Sequence, residues 1–214
     1  VTSINWKEYL LGSPRWPIKV RQTLEALSDD FVTSWSLAPD SARWLFCLVR
    51  DGDFRNIVEC GCGVSTVIMA LALRERREKG SMFGRVTFLE HDWYWCQKTI
   101  NELARLGLCE FVKGCNAPLC DVSFGSRQLV SYKDTELDIR PIDLLFVDGP
   151  PKQYGRAGVV PHLVDRMHKD SIVVLDDVRR KNEFEAVQLW IENRLLILEK
   201  FVLKGNGIAV LHPV

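Results

Sequence analysis

The chain lacks any net charge: 28 lysines and arginines offset 28 aspartates and glutamates over 214 residues. Polyanions meet no attracting field, so a nucleic-acid partner is not expected without a local basic patch. The densest candidate, Arg74 to Lys79, is broken by Glu75 and Glu78 and reads as the solvated last turn of a helix closed by Gly80. Also missing is any apolar run of the ~18 residues that cross a bilayer, so no membrane partner is expected. Seven cysteines contain no Cys-x-x-Cys, and their odd number suits reduced thiols and a cytoplasmic protein. Cys60 and Cys62 have no paired Cys or His spacing to complete a structural zinc site. No repeat or low-complexity linker divides the chain. One compact domain is expected, with an N-terminal helical cap over residues 1–50 and an α/β core over 51–214.

What is present is an alternation of strand and helix periods. In the first 50 residues, Val20, Leu24 and Leu27 recur at helical spacing after Pro17, and Asp40 or Ser41 is placed to cap a helix running through Leu48. The pattern then predicts strand 56–60, helix 64–78, strand 85–90, helix 94–106, strand 110–114, strand 142–148, helix 157–168, strand 171–176 and helix 183–194. Two closing strand-like runs, 195–203 and 207–211, flank Lys204-Gly205-Asn206-Gly207, a hairpin signal. The fold class is therefore α/β: a doubly wound, mainly parallel seven-stranded sheet with an antiparallel C-terminal hairpin. Residues 115–141, with Pro118 and Gly125, read as a long loop carrying one short strand at 128–132.

The most telling stretch is Asn56 to Ala70. An apolar strand ends in Glu59, a Cys60-Gly61-Cys62-Gly63 turn follows, and a helix begins. A carboxylate and bare backbone at a strand's carboxyl end suit a nucleoside ligand. A dinucleotide fingerprint would need a third glycine where Thr66 stands, and no Gly-Lys-Ser/Thr makes a phosphate loop. S-adenosylmethionine carries no phosphate. Glu59 could serve its amino group, directly or through water, Gly61 and Gly63 would admit its methionine and ribose portions, and Glu90, ending the next strand, could accept both ribose hydroxyls.

These residues resemble a class I S-adenosylmethionine-dependent methyltransferase. The resemblance rests on E-x-G-x-G-x-S-T at Glu59 to Thr66, L-E-H-D at Leu89 to Asp92, A-P-L at Ala117 to Leu119, F-V-D-G-P-P at Phe146 to Pro151 and L-D-D-x-R at Leu175 to Arg179. It implies methyl transfer to a small molecule, most simply at an oxygen. It adds Ser65 near the methionine carboxylate, His91 beside Glu90, and Asn116 and Ala117 near the adenine to the cofactor set. Asp148, Asp176 and Asp177 end neighbouring strands, where Asp148 also borders the cofactor. Their mutual repulsion would be relieved by a hard cation such as Mg²⁺, and similar metal-dependent enzymes carry acids at these places. Asp148, Lys152 and Asp176 are the catalytic candidates. Lys152 resembles, one residue displaced, the base of the catechol-type branch; Pro150 stands where the sugar-modifying branch has its base. Two other readings stay open: a nicotinamide-dependent oxidoreductase, and a non-catalytic domain of the same fold. In the acidic cluster, Arg179 or Arg180 could instead pair with the aspartates. The acceptor and the oligomeric state, a homo-oligomer included, are not encoded in these motifs.

Overall fold

In the computed structural model, the described residues are 5–12, 16–133 and 141–214. Three helices open the chain: α1 (Trp6–Gly12), α2 (Ile18–Glu25) and α3 (Pro39–Asp51). Pro17 precedes α2 as expected. The start of α3 differs from the expectation, because Pro39 takes the first turn and no side chain caps it. Proline suits that position, where its missing N–H costs nothing.

The core follows with β1 (Asn56–Cys60), α4 (Val64–Glu78), β2 (Arg85–Glu90), α5 (Trp93–Arg105) and β3 (Val112–Asn116). Next come β4 (Leu119–Phe124), β5 (Arg127–Tyr132), β6 (Ile142–Val147), α6 (Val159–Leu163) and β7 (Met167–Asp176). The chain closes with α7 (Lys181–Glu192), β8 (Leu196–Val202) and β9 (Ile208–Pro213). Seven strands form one sheet in the order β3-β2-β1-β6-β7-β9-β8. The first five are parallel, while β9 runs antiparallel to both β7 and β8. This is the expected doubly wound sheet with its terminal hairpin.

Three expectations need correction. β3 starts at Val112 because Cys109–Phe111 coil into a 3₁₀ turn first. The helix expected over 157–168 is helical only at 159–163. It tightens to a 3₁₀ turn, and β7 begins already at Met167. In the expected loop after β3, the short strand foreseen at 128–132 is present as β5, but it pairs antiparallel with an unforeseen strand, β4, to make a second sheet; residues 134–140 lie outside the described ones.

Both faces of the main sheet are covered, which is why its strands read as almost continuous apolar runs. On one face Ile57, Phe88, Leu144 and Phe146 pack with Val67 and Leu71 of α4 and with the N-terminal helices. On the other, Val58, Leu145, Val147 and Leu175 pack with α6 and α7. α7 turns Glu183, Ala186, Val187 and Trp190 inward, a helical stripe of four. The Trp190 indole N–H donates to the Ala157 carbonyl (2.8 Å), fixing the chain just before α6. The outer strand β8 carries a bulge between Leu198 and Lys200. No described helix is long and apolar enough to cross a membrane.

Trp190 is fully buried, whereas Trp35 is 78% exposed. Urea unfolding should show Trp190→Ala losing about 3–5 kcal/mol. Trp35→Ala should stay within about 0.5 kcal/mol of the native chain.

Candidate functional site

The strand order reverses between β1 and β6, so the loops leaving their carboxyl ends part and open a crevice. Three backbone hydrogen bonds tie the first residue of a loop to the end of the adjoining strand. Ala117 N–H donates to Glu90 O (2.8 Å), Gly61 N–H to Leu89 O (2.9 Å) and Asp148 N–H to Cys60 O (3.0 Å).

Between β1 and α4 the chain turns through Gly61 at φ 99° and Gly63 at φ 137°, left-handed values that favour glycine. Glu59 sits beneath this turn with no exposed surface. The hydroxyls of Ser65 and Thr66, in the first turn of α4, donate to its two carboxylate oxygens. Thr66 also accepts from the Gly63 N–H (3.0 Å), so one threonine joins loop, helix and acid. Burial pushes the Glu59 carboxyl up to about 8 despite these donors. Sequence reasoning put Glu59 against a ligand's amino group. Here its oxygens are engaged by its own helix, and it is absent from the cavity wall.

A cavity of about 430 Å³ occupies the crevice. Gly61, Cys62, Gly63 and Ser65 form one side, with Glu90, His91 and Trp95 beside them; Tyr132, Asp148, Lys152, Arg156, Asp176, Asp177 and Arg180 face them. Glu90 is nearly buried and accepts from the Asp92 N–H (2.8 Å) through Oε1, 2.7 Å from His91 Nδ1. Asp92 in turn caps α5 by accepting from the Tyr94 and Trp95 N–H groups. Residues 31–38 form the rim and carry the exposed Trp35. Their root is pinned to α5. Ser28 donates to Glu102 through both N–H and hydroxyl, and Lys98 reaches the Asp30 carbonyl.

The acids expected after β6 and β7 do meet: one oxygen from each of Asp148, Asp176 and Asp177 lies within 4.8 Å of the others. A guanidinium lies among them. Arg156 Nη2 donates to Asp148 Oδ1 (3.0 Å) and Asp177 Oδ2 (3.2 Å), and Nη1 to the Asp176 carbonyl (3.0 Å). Asp177, at φ 61°, also pairs with Arg180 Nη1 (2.6 Å) and accepts from the Asn206 amide (2.9 Å). Both of its oxygens are thus occupied. Asp176 keeps a buried, unpartnered Oδ1. Burial pushes the Asp148 carboxyl up to about 6, with Arg156 opposing and Asp177 adding to the rise. Burial, reinforced by Asp148 and Asp177, drives Asp176 well above the ordinary range.

Of the sequence-predicted site residues, Gly61, Gly63, Ser65, Glu90, His91, Asp148, Lys152, Asp176 and Asp177 all border this cavity. Glu59, Asn116 and Ala117 do not. The Asn116 amide donates to the Glu90 and His91 carbonyls (3.2 and 3.4 Å), so it braces the loop beyond β2. From sequence, Arg156 after the Gly-Pro-Pro turn reads as either a pocket-lining or a surface residue; it does border the cavity, but its central place among the acids and the packing of Tyr132 into the wall were not foreseen. A signal for the first was present: three converging acids with a nearby arginine in the same loop as Lys152.

The methyltransferase domain family matches residues 58–178, more than half of the chain. No curated protein matches it. Among solved structures, a methyltransferase from Geobacter sulfurreducens aligns with a TM-score of 0.67 at 18% identity, over 96% of this chain and 94% of the other. An SAH-bound methyltransferase from Podospora anserina gives 0.66 at 14% identity, over 96% and 92%. An O-methyltransferase from Bacillus cereus, in complex with SAH, gives 0.62 at 16% identity, over 94% and 92%. At such identities the likeness is one of fold.

Glu59 makes the site's framework sensitive to pH. Its carboxyl holds a proton up to about 8 when folded, against an ordinary value of 4.5. Between those values the folded state binds the extra proton, so this group's contribution to stability is full at low pH and declines as pH rises. Glu59→Gln cannot titrate. Its unfolding free energy minus that of the native chain should grow steadily from pH about 5 to about 8 in urea titrations. A flat difference would contradict the burial of this acid.

Proposed function

The chain belongs to the methyltransferase domain family, and on that premise we propose that it moves a methyl group from S-adenosylmethionine to an oxygen of a small molecule. The observation that carries this reading is the shared cavity, with Glu90 and the glycine loop on one side and the aspartates on the other. Its size falls in the range of small-molecule sites. The residues suit this cofactor. Gly61 and Gly63 present bare backbone, Ser65 and the start of α4 lie where the methionine portion would end, and Glu90 offers a carboxylate for the ribose diol. Glu59 acts through the loop it holds rather than by touching the ligand. Asn116 and Ala117 likewise support the Glu90–His91 turn. S-adenosylmethionine supplies the electrophilic methyl group.

The protein's own task is to align the acceptor and receive its proton. Asp148, Lys152 and Asp176 border the acceptor side of the cavity and are the residues proposed for that proton. Trp35 and the rim of residues 31–38 give the acceptor an apolar contact and shield the reacting atoms from water. The dinucleotide alternative is disfavoured by the absent third glycine and by the antiparallel C-terminal hairpin.

Mg²⁺ is the remaining cofactor expectation. The three aspartates offer the hard oxygens it takes. Their charge is already met in part by Arg156 and Arg180, and Asp177 has a donor on each oxygen. A divalent ion does not fit beside these guanidinium groups.

Calorimetric titration with S-adenosylhomocysteine should give saturable binding. Glu90→Ala should weaken it by about ten- to a hundredfold, the worth of a lost charge-assisted hydrogen bond. No heat at millimolar ligand would refute the cofactor assignment.

A further inference from the structure

Arg156 is 4% exposed, far too buried for a chance surface pairing. Its guanidinium meets acid on every side. Nη2 bridges Asp148 and Asp177, Nη1 holds the Asp176 backbone, and Nε lies 3.8 Å from Glu183 Oε1. Glu183 has no exposed surface and, among the described residues, no hydrogen-bond donor on either oxygen, so the guanidinium 3.8 Å away serves as its counter-charge. It lies in the first turn of α7, where the helix dipole also favours a negative group. Burial alone would disfavour the charge on Arg156, but the four acids outweigh it and hold the group protonated.

We propose that Arg156 is the resident cation of the acidic cluster, holding Asp148 and Asp177 together as a divalent ion would, so that the site works without a metal. The proposal deepens the methyl-transfer reading and assigns Arg156 as a positioning residue. It fixes the directions of Asp148 and Asp177 and keeps their mutual repulsion low while leaving Asp176 Oδ1 unengaged. A planar guanidinium has the geometry to join two carboxylates and a carbonyl at once, which an ammonium cannot reproduce.

The test needs no acceptor and no methyl donor. Metal-free native protein is titrated with Mn²⁺ and read by electron paramagnetic resonance. No saturable site is expected below about 1 mM for the native chain, and Arg156→Ala should bind at least about tenfold tighter, because removing the guanidinium leaves uncompensated carboxylates. That new site should vanish in Arg156→Ala/Asp176→Asn. Tight one-to-one Mn²⁺ binding by the native chain, abolished by Asp176→Asn, would overturn the proposal. So would a folded Arg156→Ala chain, checked by circular dichroism, that gains no Mn²⁺. If Arg156→Ala does not fold, the native titration decides by itself, with Arg156→Lys as the milder variant. A parallel S-adenosylhomocysteine titration of the native chain reads the cofactor assignment separately, so the two ideas fail independently.

Discussion

The crevice depends on backbone hydrogen bonds that carry the parallel ladders one residue past the strand ends. Each loop's first residue is thereby tied to the end of a neighbouring strand. Here the Ala117, Gly61 and Asp148 N–H groups each reach back to a carbonyl of the adjoining strand end. Glu90, the glycine turn and Asp148 are thereby held relative to one another by backbone, independent of their side chains. Glu59 extends the same constraint downward. Through Ser65 and Thr66 it locks the turn to α4, so the loop that meets a ligand is backed by a buried acid instead of by solvent.

The far wall solves a different problem. Asp148, Asp176, Asp177 and Glu183 crowd together, and carboxylates in a poorly solvated space raise one another's proton affinity. Two arginines and the raised carboxyls share the resulting charge. Arg156 has the larger part, because it is buried and multiply bonded while Arg180 lies nearer the solvent.

Much of this was legible in the chain. The parallel strands are buried on both faces, so their apolar runs stand out, and Glu59-Cys60-Gly61-Cys62-Gly63 marks a turn that few residue types can make. The Lys204–Gly207 signal located the terminal hairpin for the same reason. Of the β4–β5 ribbon, β5 was legible as the short strand at 128–132, but β4 escaped notice because it lies outside the main sheet, where Pro118 and Gly125 look like loop punctuation. β3 slid by two residues since local periodicity does not distinguish a 3₁₀ turn from a strand start. The burial of Arg156 was hidden for a deeper reason. A guanidinium's environment is set by tertiary neighbours from β6, β7 and α7, and no local pattern records them. Glu59 shows the converse: its place in the motif was plain, but which partners its oxygens would choose depended on the helix folding back over it.

The bulge in β8 has a bearing on how molecules of this protein meet one another. β8 is one of the two margins of the main sheet, with Ile197 and, just past its end, Leu203 bare to solvent, the kind of ribbon that invites a foreign chain to extend it. The kink between Leu198 and Lys200 breaks the straight row of amide groups, and Glu199, bonded to both Lys200 and His212, sets charge at the break. Crowded copies therefore find no uninterrupted template for adding strand to strand along this margin.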